Sequence, residues 1–323
     1  MISLNLFTFR TRADNPSAQK ANLPELSSRL ETILAAKYRL VKHLGSGGMS
    51  TVWLARHRVH GALFAIKVLH PFLGEHPQFR EAFVHEAAHT AVLSGHPNIV
   101  PIFDIDHADG LHYIVMPYVR GHDLDQVLQQ CGTLNRADAL TVALEIASAL
   151  AYAEERGIIH GDLSPGNVRI DGFGRVLLLD FGLSAPQHVF APNSSVLLGT
   201  PYSMSPERLA GERPGIRSDL YSLGVLLFHM LIGHPPFEGK SVEAIEKWHR
   251  EGVLHFPDAF TQGHKSLAEL IERLLAKHVQ DRPANAKSLE TLLRDLGAES
   301  HPLELSHDLP ADEKIGAMRR RLS

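Results

Sequence analysis

The chain has 323 residues, of which 44% are apolar, enough to bury a large core and, by length, about two domain-sized units. A formal net charge of −4 offers no bulk attraction to nucleic acid or to an anionic membrane. Cys131 is the single cysteine, which excludes an internal disulfide framework and suits a reducing cytoplasm.

Residues 1–10 are too short and too polar for a secretory signal. No run approaches the roughly 18 apolar residues of a spanning helix, so the expectation is a soluble, cytoplasmic chain. The 21 histidines lack the regular spacing of a zinc site. Residues 1–37 read as an N-terminal extension in which 26–36 fit a short helix. From Tyr38 the pattern changes. Segments 38–44, 51–55 and 63–69 are rich in β-branched and aromatic residues and bounded by glycine, predicting three antiparallel strands. Residues 78–94 follow with helical spacing, Phe79, Phe83, Ala87 and Val92 recurring near one face. Strands are predicted at 100–106 and 112–116.

Helices dominate thereafter. Residues 137–155 form a long alanine- and leucine-rich helix that Gly157 stops. Residues 218–232 are apolar nearly all round, which predicts a buried helix. Ser266-Leu267-Ala268-Glu269 matches a capping box opening another helix. Residues 285–296 are amphipathic and closed by Gly297. A strand-rich segment (38–118) thus precedes a helix-rich one (119–297), an α+β pattern of two lobes. The tail, 298–323, has little apolar periodicity and ends in a solvated Arg319-Arg320-Arg321 run.

Chemistry concentrates in His160-Gly161-Asp162-Leu163-Ser164-Pro165-Gly166-Asn167 and in Asp180-Phe181-Gly182. These supply a candidate base (Asp162), an amide oxygen (Asn167) and a carboxylate (Asp180), which suit phosphoryl transfer from a magnesium nucleotide. Upstream, Gly45-Ser46-Gly47-Gly48 sits between two predicted strands, where glycines let backbone amides approach phosphates. Lys67 follows Gly45 by 22 residues and offers a fixed cation to the α- and β-phosphates. A lysine facing a cleft needs an acid to stay charged and oriented. Glu86 and Glu81 are the candidates, and Glu86 is preferred because its apolar neighbours turn it inward.

In this order the motifs make the chain similar to the bacterial eukaryotic-type (Hanks-type) serine/threonine protein kinases, over roughly residues 38–297. The resemblance implies a bilobal fold with a small antiparallel-sheet N-lobe carrying one main helix (38–118) and a larger helical C-lobe (119–297). It implies ATP and magnesium as cofactors, with Asn167 and Asp180 as metal ligands and Asp162, Lys67, Glu86, Asn167, Asp180 and Thr200 as the catalytic set. Leu44, Gly45, Gly47, Val52, Ala65, Lys67, Met116, Pro117 and Val119 are the implied nucleotide contacts. Met116 takes the gatekeeper position, Pro117 presents a carbonyl to the adenine and Val119 both backbone groups. Gly199 to Glu207 resembles the substrate-docking segment, Asp219 the aspartate that braces the catalytic loop, and Arg282 the partner of Glu207. The implied partners are protein substrates bearing Ser or Thr, the chain itself among them, with no nucleic acid and no membrane span.

Four positions depart from the family pattern. Gly161 stands where many kinases have the arginine that receives an activation-loop phosphate. Ser194 and Ser195 are ordinary loop serines on this reading. Ser164 replaces a lysine that neutralises the transferring phosphoryl group, a loss worth on the order of 10²-fold. Arg169 occupies the apolar adenine floor, where its head either reaches water or stacks on the base. Ser50, in place of the third loop glycine, is a milder change. Two alternatives compete with an active kinase. One is a nucleotide-binding pseudokinase acting as a scaffold. The other, a small-molecule phosphotransferase, lacks the docking segment and the Arg282 partner.

Overall fold

The computed structural model describes residues 22–181, 201–237 and 241–303. They divide into two compact units. The first takes the described residues up to Gly95 together with Val100–Tyr118, and the second takes His96–Ile99, Val119–Phe181 and the residues from 201 onward.

In the first unit α1 (Leu23–Leu34) precedes the strands β1 (Tyr38–Ser46), β2 (Ser50–His57) and β3 (Leu63–Leu69). The short α2 (Pro71–Gly74) and the longer α3 (Pro77–Val92) follow, then β4 (Asp104–Ala108) and β5 (Leu111–Pro117). The five strands form one antiparallel sheet in the order β1-β2-β3-β5-β4. Strand alternation then decides which side chains share a face. Trp53, Ala55, Phe64, Ile66, Val68, Tyr113 and Val115 pack with Leu26, Leu30 and Leu34 of α1. Each fully buried leucine of that helix contributes roughly 1.5–3 kcal/mol of apolar burial. Helix α1 therefore belongs to this core, although nothing in the spacing of residues 26–36 revealed what it packs against.

Two strand and helix expectations are corrected. Strand β4 begins at Asp104 instead of 100, because Pro101 has no N–H to donate to a ladder. Before it, the Phe103 N–H donates to Val115 O at 2.8 Å, and an isolated parallel bridge joins Ile99 to Leu178 within the second unit. On α3, Phe83, Ala87 and Thr90 are buried, while Val92 at the last position is 59% exposed, so the buried stripe leaves that end of the helix.

The second unit opens with β6 (Gly121–Asp123), α4 (Leu124–Cys131) and α5 (Arg136–Glu154), capped by Asp123 and Asn135 respectively. Strands β7 (Val168–Asp171) and β8 (Val176–Leu178) complete a three-stranded sheet in the order β6-β7-β8. Then come α6 (Pro206–Leu209), α7 (Ile216–Ile232), α8 (Val242–Glu251), α9 (Asp258–Gly263), α10 (Lys265–Leu274) and α11 (Ala286–Asp295). Helices α5 and α7 are buried on nearly every face, as their uninterrupted apolar runs predict. Gly224 lets α7 approach α10 closely, since a Cβ there would lie 2.7 Å from the Leu274 Cβ.

The expected capping box at Ser266 does not form. Helix α10 starts one residue earlier, at Lys265, with no side-chain cap at His264, so Ser266 lies inside the first turn. At α11 the box is real: Asn285 accepts from the Ser288 N–H at 2.7 Å, and Gly297 (φ +83°) follows the helix. Residues beyond the predicted boundary at 297 remain attached. Thr141 Oγ1 donates to Glu299 O at 2.7 Å, and Leu303 pairs with Gly174 and is buried. No helix among the described residues is long and apolar enough to cross a membrane.

Candidate active site

In the first unit the register places a set of predicted residues on one sheet face. Val52 lies opposite Lys67, and Ala65 opposite Met116. Lys67, Ala65, Val52 and Met116 thus point away from the α1 side, because Phe64, Ile66 and Val68 alternate with them on β3. Lys67 Nζ meets Glu86 Oε1 of α3 at 2.6 Å, with the two side chains only 12% and 14% exposed. Glu81, the other candidate, is exposed. Pro117 ends β5 opposite Phe64.

The glycine hairpin between β1 and β2 is tied at several points. Gly45 pairs with Val52, and the Gly47 N–H donates to Ser50 O at 2.8 Å. Leu44 is 37% exposed. His70, just beyond β3, donates its backbone N–H to Met49 O at 2.8 Å and sets its ring Nε2 3.0 Å from Gly47 O. The residue-by-residue reading missed His70. Its role follows from strand register, which no local signal encodes.

In the second unit the segment after α5 forms the catalytic loop. Gly157 (φ +68°) ends the chain's helical run. Asp219, buried in the first turns of α7, receives the His160 N–H on Oδ2 and the Gly161 N–H on Oδ1, both at 2.8 Å. Burial pushes this carboxyl up to about 6, against the downward pull of those two N–H donors and of Arg208. The His160 ring is fully buried, which depresses it to about 4, so it is neutral near pH 7. Its Nδ1 accepts from the Asp162 N–H at 3.3 Å, and the tautomer this assigns has Nε2 donating to Leu179 O at 3.1 Å. The Phe181 ring, also fully buried, lies 4.7 Å from it.

Asp162 and Asn167 come together: Asn167 Nδ2 donates to Asp162 O at 2.8 Å and lies 3.4 Å from Asp162 Oδ2. Leu179, which precedes Asp180, donates its N–H to Asn167 O at 2.9 Å. Asp180 itself is half-buried and has φ +55°, a conformation costing a non-glycine residue about 1–2 kcal/mol. Thr200, Gly182, Ser194 and Ser195 lie outside the described residues. Among the described residues no cluster of three or more His, Cys, Asp or Glu stands ready for a metal ion. The pair Asn167 and Asp180 fits magnesium all the same. Magnesium takes one or two protein oxygens and completes its shell with phosphate and water, and the Asn167 amide nitrogen is already engaged, which leaves its oxygen as the ligand atom.

Gly161 sits at φ +77°. Glycine holds that backbone without strain, so Gly161→Ala is expected to cost about 1–2 kcal/mol, read as a lower denaturant midpoint at unchanged slope. The docking segment adds grips on the same loop. Ser203 Oγ donates to Leu163 O, and Arg208 Nη1 to Gly161 O. Glu207 makes a bidentate pair with Arg282, at 2.8 and 2.9 Å, with Ser218 Oγ adding a bond at 2.7 Å. Arg282 is wholly buried and also donates to Ala276 O and Arg217 O, both at 2.9 Å.

Arg169 does not send its head out to water. Its Nε donates to Val119 O at 2.7 Å and its Nη2 to Gly121 O at 2.6 Å, which turns the head onto the backbone instead of out to water. Gly121 (φ +137°) leaves room for this strand pairing, since a Cβ there would collide with the Ile170 and Asp171 backbone. Arg169 thus contacts one of the two Val119 backbone groups expected to face a nucleotide.

The ion pair on the sheet, the braced loop with its aspartate and asparagine, and the buried Glu207–Arg282 pair define the class. The chain belongs to the protein kinase family, whose domain matches residues 38–293. Its relatives are bacterial serine/threonine kinases. It is 35% identical over 280 residues to the probable serine/threonine-protein kinase PknB of Bifidobacterium longum, covering 82% of this chain and 40% of that protein. It is 31% identical over 291 residues to the serine/threonine-protein kinase PrkC of Bacillus subtilis, covering 90% and 42%. Against the serine/threonine-protein kinase PknK of Mycobacterium tuberculosis the identity is 32% over 315 residues, covering 96% and 28%. The chain spans less than half the length of these curated relatives.

Proposed function

We propose that this protein is a serine/threonine protein kinase that transfers the γ-phosphate of ATP to hydroxyls of protein substrates, itself among them. The observation that carries the reading is the assembled catalytic loop: Asp219 holds two successive N–H groups while Asn167 is bonded back to Asp162. A loop fixed in this way presents Asp162 as the group that orients the acceptor hydroxyl and takes its proton. Lys67, kept charged and aimed by Glu86, serves the α- and β-phosphates. The kinase resemblance assigns the nucleotide contacts to Leu44, Gly45, Gly47, Val52, Ala65, Met116, the Pro117 carbonyl and the Val119 N–H. The kinase resemblance assigns Thr200, which lies outside the described residues, to the catalytic set. Asn167 and Asp180 would hold magnesium, which would supply charge neutralisation to the phosphates. Neither the site nor the relatives favour the scaffold alternative.

The test is transfer of label from γ-labelled ATP with magnesium to the protein and to a generic basic protein substrate. Label on serine or threonine that vanishes on chelation of magnesium and in Asp162→Asn supports the reading. Tight nucleotide binding with no transfer overturns it in favour of a scaffold. In the same assay Glu86→Gln is expected to slow transfer at least about tenfold, because Lys67 loses the charge-assisted bond that aims it. A rate within twofold of wild type would remove Glu86 from the site.

A further inference from the structure

Gly161 leaves the catalytic loop without the side chain that many kinases carry at that position, yet a guanidinium is present beside it. Arg208, on α6 of the docking segment, is only 8% exposed, and its Nη1 donates to Gly161 O. We propose that Arg208 is the positioning residue of this catalytic loop, bringing from α6 the cationic brace behind Asp162 that the loop does not carry itself. The inference rests on the kinase reading above.

Three observations converge on it. First, the bonded carbonyl belongs to the residue immediately before Asp162, so a shift of the guanidinium moves the peptide that carries the base. Second, the two peptide groups on either side of the Gly161 Cα are held from different helices. Asp219 of α7 takes the Gly161 N–H and Arg208 of α6 takes its C=O. Glycine at φ +77° allows that two-sided grip without backbone strain. Third, the charge is compensated where it sits. Burial pulls the guanidinium pKa down, and the charges of Asp162, Asp219 and Glu207 pull it up. A buried cation surrounded by those three carboxylates matches a brace better than a surface contact.

The brace has a second anchor. Glu207, the neighbour of Arg208 on α6, is locked by Arg282 and Ser218. The four-residue helix therefore cannot slide without breaking a buried ion pair, and Arg208 inherits that rigidity. The docking segment and the catalytic loop are thereby one mechanical unit through side chains that differ from the Glu207–Arg282 pair.

The experiment is steady-state phosphotransfer by the full chain, with ATP titrated, for wild type, Arg208→Gln and Arg208→Lys, beside a melting curve for each. Arg208→Gln is expected to lower kcat about 10- to 100-fold with KM for ATP within about threefold, since small misplacements of a reacting group cost up to about 10²-fold. Arg208→Lys is expected to recover at least a third of the lost activity on a logarithmic scale. Three results overturn the proposal: a Gln variant with kcat within threefold of wild type, an effect confined to KM, or a Lys variant no better than Gln. If Arg208→Gln does not fold, Arg208→Lys carries the test. It must then show reduced kcat at unchanged KM, and a kcat equal to wild type overturns the role. Failure of both to fold would assign Arg208 to core stability alone. A wild-type protein that binds Mg-ATP without transferring phosphate fails the kinase reading itself, whereas loss confined to the variants leaves that reading standing.

Discussion

Asp162→Asn is expected to lower kcat for phosphotransfer by about 10²–10⁴-fold, the range of a positioned general base. The amide has the shape of the carboxylate but cannot accept a proton at neutral pH. The loop should survive the change, because Asn167 Nδ2 bonds to the backbone carbonyl of Asp162 at 2.8 Å and Asp219 holds the two preceding N–H groups. The loss therefore falls on kcat, with KM for ATP within a few-fold of wild type. A kcat within tenfold of wild type would show that Asp162 is not the base.

The largest stability effect is expected from Arg282→Met. Glu207 and Arg282 share two short bonds with side chains 9% and 0% exposed, so the variant leaves a buried carboxylate held by the Ser218 hydroxyl. Removing one partner of such a pair costs about 3–5 kcal/mol. For a chain of this size that lowers the melting temperature by roughly 4–8 °C. The pH dependence has a definite sign. Burial pushes the Glu207 carboxyl up, but the bonds and charge of Arg282, with Ser218, prevail and hold it at about 2 against an ordinary 4.5. In wild type this contribution is complete above pH 4.5 and is lost as pH falls toward 2. In the variant the unpaired carboxylate is relieved by protonation, so the stability gap between the two proteins narrows as the pH is lowered. A gap that stays constant from pH 7 to pH 3 would mean that the ion pair is not its cause. Arg282→Met combined with Glu207→Met should recover most of the loss, since an apolar pair of similar volume replaces a buried ion pair at little cost.

Much of the fold was legible because its signals are local. Strand β3 spans the seven residues expected, and α5 and α7 lie within one or two residues of their predicted bounds. Each miss has a local competitor. Pro101 delays β4, and at α10 the chain enters the helix a residue before the serine that matched a cap. The chemistry-bearing residues were legible for another reason. Asp162 and Asn167 lie within one loop, five residues apart, so their meeting needs no distant element. Lys67 and Glu86 are 19 residues apart, on β3 and α3, and the side-chain direction of each follows from its own period.

What escaped was every contact made across long sequence separation by a residue with no motif. Arg208 and Gly161 are 47 residues apart, Arg169 and Val119 are 50, and His70 and Gly47 are 23. Their side chains are flexible, and several backbone carbonyls could have received each of them. Only packing decides which carbonyl lies within reach. The amino-acid order by itself determined the kinase class, the two-lobed succession of elements and the identity of the acid, amide and lysine groups. The tertiary structure alone decided which side chains brace them, because that choice depends on strand register and helix placement and not on spacing along the chain.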